Sequence, residues 1–250
     1  MRYDASMYMD FSSLFHESSK DLRGGGTVNI PANDSKWPIE WKTTYYKYYP
    51  RFKKIALPAA KPTGIFSELI EKRVTDRTFA KDALTIEKLS ALLKYSCGIT
   101  DDADGFSRRA HPSGGARYPL EVYPIIFNGC EGVPTGVYHY NIKEHALDTL
   151  AERDFSNDDI ATLSGYEWVQ QSSMLLVITA VFWRSQMKYG ERGYRYIMLE
   201  AGHMGQNVYL ISTALGLKCS GLGGTHDENI EKLLNLDGIG ESLVYALAVG

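Results

Sequence analysis

Met174-Leu-Leu-Val-Ile-Thr-Ala-Val181, then Phe182 to Tyr196, then Ile197 to Leu217 form the stretch on which the fold turns. Met174 to Val181 is a continuous apolar run with Val and Ile, which predicts a buried strand. From Leu199 to Leu217 the period changes. Glu200, Met204, Val208, Ile211 and Leu215 recur at about 3.6 residues, so a long helix is predicted there. Ala201, Gly202 and Gly205 are small and permit close contact with that helix. Between strand and helix lies Arg184-Ser-Gln-Met-Lys188-Tyr189-Gly-Glu-Arg192-Gly-Tyr-Arg195-Tyr196. A lysine beside a tyrosine just past a buried strand is a candidate acid/base pair, because desolvation and neighbouring cations favour neutral lysine. A solvated basic helix start is the plainer reading of the same residues.

Outward from this stretch, Leu120 to Phe127 reads as a strand. Gly136–Tyr140 and Ala146–Leu150 bracket Asn141-Ile142-Lys143-Glu144, which predicts a hairpin, and Leu243–Val249 reads as a terminal strand. Ile65, Leu69 and Ile70 lie at helical spacing that ends near Arg73. Thr85 is a predicted N-cap, with Glu87 in the first turn, an apolar stripe of Ile86, Leu89, Leu92 and Leu93, and Gly98 at the C′ position. Helices and strands mix without regular βαβ alternation, so the predicted class is α+β. Residues 1–60 hold Gly24-Gly25-Gly26 and Pro31, Pro38, Pro50 and Pro58, the pattern of a wrapping arm, leaving 61–250 as the folded domain. Tyr45, Tyr46, Tyr48 and Tyr49 suit packing of that arm on the body, or a stacking surface for a ligand.

The net charge of -3 over 250 residues, with mixed signs, argues against a basic nucleic-acid footprint. The N-terminus carries Asp4 and Asp10 without an apolar core segment, and the best apolar run is about half a membrane span. A cytoplasmic, non-membrane protein is expected. Cys97, Cys130 and Cys219 are odd in number and far apart, so no metal site is predicted and reduced, packed thiols are expected.

Three further segments carry chemistry. Arg73-Val-Thr75-Asp-Arg77 sets two guanidinium forks around a hydroxyl at a helix end, a donor set suited to phosphate. His111-Pro-Ser113-Gly114-Gly115-Ala-Arg-Tyr-Pro119 has small residues that let a flat ligand approach backbone. Gly221-Leu222-Gly223-Gly224 is a second glycine-rich loop. It lacks the dinucleotide GxGxxG spacing, and a strand-to-helix turn would need the same residues.

Read in order, these segments resemble the SagB-type dehydrogenase branch of the nitroreductase superfamily. Phe15-His16-Glu17-Ser18-Ser19-Lys20 is similar to its "HE-x-SK" segment. Trp41-Lys42-Thr43 with Leu57-Pro58 resembles "K-x-Y…LP", except that Thr43-Thr44 precede Tyr45 here, and Arg73-x-Thr75-x-Arg77-x-Phe79 resembles the flavin-phosphate signature R-x-S-x-R/K-x-F. Pro112 to Glu121 resembles "PSAGALYPLE", and Gly136 to Tyr140 matches "GVYHY". Lys188 to Asn207 matches "KYxxRGYR…EAGHxxQN".

The resemblance implies a nitroreductase-like α+β fold. It has a central, mostly antiparallel sheet flanked by helices, in an interlocked homodimer with FMN at the interface. It assigns Arg73, Thr75 and Arg77 to the phosphate and ribityl chain. Ser113, Gly115, Leu222, Gly223, Gly224 and Asn207 fall to the flavin, Ser113 and Gly115 from the neighbouring subunit, and Lys188 and Tyr189 to catalysis. The implied reaction oxidises peptide thiazolines or oxazolines to azoles, after a separate cyclodehydratase has made the ring. A leader-peptide-binding partner is part of the same expectation. Two rivals share the fold: an NAD(P)H-dependent nitroreductase or quinone reductase, and a non-catalytic flavin-binding scaffold in a peptide-modifying complex. Two features depart from the pattern: Thr75 stands for the usual Ser, and the chain ends at Gly250, just past the last strand.

Overall fold

The computed structural model describes residues 11–20, 34–43, 46–47, 51, 64–81, 83–102, 107–130 and 132–250. Its helices are α1 (Phe11–Ser19), α2 (Ile39–Lys42), α3 (Ile65–Lys72), α4 (Ile86–Cys97), α5 (Asn157–Ala161), α6 (Trp183–Tyr189), α7 (Arg192–Ala214) and α8 (Asp227–Leu234). Its strands are β1 (Ile99–Asp101), β2 (Arg108–Arg109), β3 (Leu120–Ile126), β4 (Gly136–Asn141), β5 (Ala146–Glu152), β6 (Met174–Val181), β7 (Cys219–Leu222) and β8 (Glu241–Val249). Six strands form one sheet in the order β5-β4-β3-β6-β8-β7, with every neighbouring pair antiparallel. β1 and β2 pair as a separate ribbon.

The unbroken apolar run of β6 follows from its place. It pairs with β3 from Leu120↔Ala180 to Ile126↔Met174 and with β8 on its other edge. Met174, Leu176, Ile178 and Ala180 enter one core with Leu92 and Leu93 of α4 and Met204 and Val208 of α7. Leu175 and Val177 enter a second core with Ile160 of α5 and Ile230 of α8. An antiparallel strand usually alternates because one face is wet, and here both faces are covered.

Several sequence expectations need correcting. α7 begins at Arg192, not at Leu199. The basic segment before it is itself helical and is broken by Gly190 at φ +55°. Gly193 then lets α6 fold back on α7, since a Cβ there would lie 3.0 Å from Gln186 Cα. Thr85 does cap α4, its hydroxyl accepting the Lys88 N–H at 3.2 Å, but Ile86 is exposed while Leu89, Leu92 and Leu93 are buried. Gly98 is extended (φ -69°), not left-handed, and is needed because a Cβ would crowd the Lys94 carbonyl oxygen at 2.7 Å. Gly221 and Leu222 are the end of β7, so only Gly223-Gly224 belong to the turn. Gly205 meets the Tyr245 ring of β8, whereas Gly202 is exposed with open space beside it.

α1 lies on the body. Its Ser12 N–H donates to Glu191 Oε2 at 2.9 Å, and Gln186 Nε2 donates to Ser12 Oγ at 2.9 Å. His16 is hydrogen bonded to Ser242 Oγ (2.8 Å) and Tyr194 OH (3.2 Å), and buried Lys20 donates to the Gly238 carbonyl (3.0 Å). Thus His16 and Lys20 of the Phe15–Lys20 motif hold α1 in place. Tyr46 is exposed; Tyr45, Tyr48, Tyr49, the glycine triplet and Leu57-Pro58 lie outside the described residues. Among the described residues no helix is long and apolar enough to cross a membrane, and no His/Cys/Asp/Glu cluster could hold a metal ion.

Candidate active site

α6 stops at Gly190, whose backbone (φ +55°, ψ -144°) is closed to L side chains. The turn sets the Tyr189 ring edge-on to Tyr196 of α7, with centroids 5.1 Å apart. Lys188 Nζ lies 5.3 Å from the Tyr189 ring centre. Lys188 is exposed and Tyr189 half-buried. The loop before β3 comes up against both. Gly115 has φ +63°, and a Cβ there would overlap the Tyr189 hydroxyl and lie 3.0 Å from Lys188 Nζ. The two polar tips therefore converge on bare backbone. Ala116 and Tyr118 are left-handed too (φ +53° and +45°), so strain is concentrated in this loop. Ser113 Oγ closes it by accepting the Tyr118 N–H at 2.8 Å.

Behind α6 stands a charge network. Arg184 donates from Nη1 to Glu121 Oε1. Glu121 Oε2 is 3.0 Å from His139 Nε2, and His139 Nδ1 is 3.2 Å from Asp148 Oδ2. Burial opposes the charge on Glu121, but hydrogen bonds from His139 and Arg184 outweigh it and hold the carboxyl below its usual range. The bond to Glu121, against a smaller cost of burial, raises the His139 pKa above 6.5.

A second group lies at the β7 edge. The Asp76 N–H donates to the Cys219 carbonyl at 3.1 Å, which pins the segment after α3 to β7. The Arg73 guanidinium stands 5.6 Å from the Tyr209 ring centre, and Thr75 Oγ1 is 3.4 Å from the Tyr209 hydroxyl. Arg77 stands 5.5 Å over Trp168, which stacks on Tyr166. Tyr166 in turn reaches Gly224, where a Cβ would lie 3.2 Å from its hydroxyl, and Gly223 beside it is exposed. Arg73 and Thr75 thus gather on Tyr209, whose hydroxyl also accepts the Gly221 N–H at 2.6 Å, while Arg77 is joined to Gly224 through Trp168 and Tyr166; Leu222 is buried. Among the described residues neither Arg73 nor Arg77 pairs with a carboxylate. Asp76 is turned to Thr78, whose N–H and hydroxyl it accepts at 2.8 and 2.6 Å.

The two groups sit at different heights on α7. Tyr196 marks the first and Tyr209 the second, and thirteen helical residues span roughly 20 Å. Asn207 stands apart: its amide donates to the Ser96 (3.3 Å) and Ala110 (3.0 Å) carbonyls, tying α7 to α4 and the β2 loop. That use favours a structural role for it. Burial pushes the Cys97 and Cys219 thiols up to about 12, which suits packing and not nucleophilic work.

Sequence reading missed Tyr166, Trp168, Tyr196 and Tyr209 as partners of the site. It also missed the buried His111–Glu200 pair at 3.2 Å. In the sequence Glu200 shows only as a charged residue in an apolar stripe, and that anomaly is its signal.

The chain is similar to a nitroreductase-type protein of Methanocaldococcus jannaschii, with 32% identity over 73% of this chain and 90% of that protein. It is 32% identical to the trifolitoxin-processing protein TfxB of Rhizobium leguminosarum bv. trifolii over 66% of this chain and 47% of the relative. It is 34% identical to the microcin B17-processing protein McbC of Escherichia coli over 63% and 58%. The matched stretch thus spans about half the length of the two processing proteins. Among solved structures, the E. coli microcin synthetase McbBCD complex with truncated pro-MccB17 superposes with a TM-score of 0.73 at 24% identity, covering 94% of this chain and 90% of that one. The nitroreductase-type structure from Ralstonia eutropha gives 0.63 at 23%, covering 78% and 87%. The nitroreductase family model matches residues 70–250, from the end of α3 through β8, and the chain belongs to that family.

Proposed function

We propose that the protein is an FMN-dependent dehydrogenase that oxidises peptide thiazolines or oxazolines to thiazoles or oxazoles. The observation that carries this reading is the convergence of Lys188 Nζ and the Tyr189 hydroxyl on Gly115. A family reductase needs a place for hydride to enter and leave. An azoline oxidase also needs a base for the Cα proton, and this pair is suited to that task. The processing relatives point the substrate toward a peptide.

The cofactor fits the residues present. Two arginines that pair with no carboxylate among the described residues and the Thr75 hydroxyl make an anion-binding set, and Gly223 in the neighbouring turn is exposed. In this reading Arg73, Thr75 and Arg77 hold the phosphate, and Ser113, Gly115, Leu222, Gly223 and Gly224 line the flavin. Asn207 is at most indirect. FMN, when bound, supplies the acceptor for the hydride that leaves the azoline Cβ. One of Lys188 and Tyr189 takes the Cα proton, the C–C bond becomes double, and the ring is aromatic. The separation of about 20 Å along α7 favours a homodimer in which one copy brings its arginines and the other its Lys188–Tyr189 pair. A cyclodehydratase or leader-binding partner would deliver the peptide; the microcin synthetase neighbour is itself a multi-protein complex.

Lys188→Ala and Tyr189→Phe should stay folded, dimeric and yellow, yet lose azoline oxidation by roughly 10²-fold or more. Parent-like oxidation by both variants removes the pair from the chemistry. The reductase reading is favoured by the M. jannaschii relative, matched over 90% of its length. It gains if the parent reduces nitroaromatics with NADPH and never consumes an azoline.

A further inference from the structure

We infer that Arg117 and Glu121 are positioning residues that grip α6 from two sides and set where Lys188 and Tyr189 point. The inference rests on those two residues being the working pair. Arg117 Nε donates to the Arg184 carbonyl at 3.0 Å, and its Nη2 reaches Met187 Sδ at 3.5 Å. In an α-helix that carbonyl faces the amide four residues on, which is the amide of Lys188. Arg117 therefore fastens the turn that carries the lysine. Glu121 takes the Arg184 side chain, one turn below Lys188 on the same helix face.

Glu121 is itself fixed. Its second oxygen meets His139, and His139 meets Asp148, so the grip runs from β5 through β4 and β3 to α6. An isolated exposed ion pair is worth little because its side chains are free to wander. Here the Glu121 side chain is only 15% exposed and both its oxygens are occupied. The same ten-residue segment, Pro112 to Glu121, thus places Gly115 under the two reactive tips and Arg117 and Glu121 around the helix that bears them. α6 is short and ends at the Gly190 break, so its own backbone bonds hold it weakly.

The test is hydrogen exchange of the flavin-loaded dimer, with steady-state kinetics on an azoline peptide. Glu121→Gln and Arg117→Gln should speed exchange of residues 183–189 by about tenfold or more, leaving β6 and β8 at parent rates. kcat should fall by about tenfold or more while KM stays within about twofold, because chemistry and not binding is misaligned. Arg117→Lys, which keeps a donor, should recover most of both. Arg153→Gln, which removes an exposed pair with Asp159, serves as the remote control. Unchanged exchange at 183–189 in both glutamine variants overturns the inference. So does faster exchange across the whole chain, which would mean ordinary loss of stability. A parent that oxidises no azoline counts against the proposed function instead, and the exchange result still decides the grip.

Discussion

Gly115 is the residue at which one methyl group has the most leverage. Alanine at φ +63° costs roughly 1–2 kcal/mol in backbone strain, and its Cβ would occupy the space of the Tyr189 hydroxyl. Gly115→Ala should therefore displace Tyr189 and cut azoline oxidation by about 10²-fold, the scale of a misplaced catalytic group. A variant with parent kcat would show that the tyrosine works from another position. Arg77 makes the complementary case. A charge-assisted phosphate contact is worth roughly 1.5–3 kcal/mol, so Arg77→Ala should weaken FMN retention by at least about tenfold. Dialysis against free flavin measures this directly, and unchanged affinity takes Arg77 out of the site. These residue types and spacings were legible in the chain before any fold was known. Their partners were not. Trp168 under Arg77 and Glu121 under Arg184 are brought together by the sheet order, and nothing local in either segment announces the other.

Elements were legible where one pattern dominates. α7 shows a 3.6-residue period, but only from Leu199, seven residues past its start at Arg192, and β6 is legible not by a period but as one continuous apolar run. The turn of α6 was hidden because Arg184, Lys188, Arg192 and Arg195 read as a solvated basic stretch, while Gly190 and Gly193 concealed two helices folded together. β7 was hidden for a similar reason: four residues with Gly221 at the third carry too little pattern. α1 offers an element-scale prediction. Burial, reinforced by Lys20, lowers the His16 pKa below 6.5. A depressed folded value means docking is fully stabilised above about 6.5 and loses that stability as pH falls through the folded pKa. His139 is shifted the other way, with stability present below 6.5 and lost as pH rises through its raised value. A global melting curve would mix the two, so the readout must be local. Exchange of residues 11–19 should quicken as pH drops from about 7.5 to about 5, after correction for intrinsic rates, and His16→Gln should flatten that response. Protection of α1 in the parent that ignores pH would refute the assignment.

At the scale of the whole molecule, α3 is a described element whose apolar side chains one chain leaves open. None of its residues is buried, and Ile65, Phe66 and Ile70 face outward at 79%, 68% and 45% exposure. Val74 just beyond it and Leu199 on α7 are exposed as well. A short helix gains most of its stability from burying an apolar face, so these side chains call for a partner surface. The separation of the arginine group from the Lys188–Tyr189 group along α7 makes the same demand from the side of function. The proposed homodimer would answer both, covering the α3 and α7 faces and completing each proposed site across the interface. Light scattering should give about twice the 28.0 kDa chain mass at micromolar concentrations. Phe66→Glu and Ile70→Glu together should produce monomers, since an unpaired buried charge costs several kcal/mol. Those monomers should also lose flavin, although neither residue belongs to the phosphate group, because half of the proposed site leaves with the partner. A monomeric parent of full FMN content would defeat the shared site outright. A dissociated double variant that keeps its flavin would instead leave α3 as an interface and return the whole cofactor site to one chain.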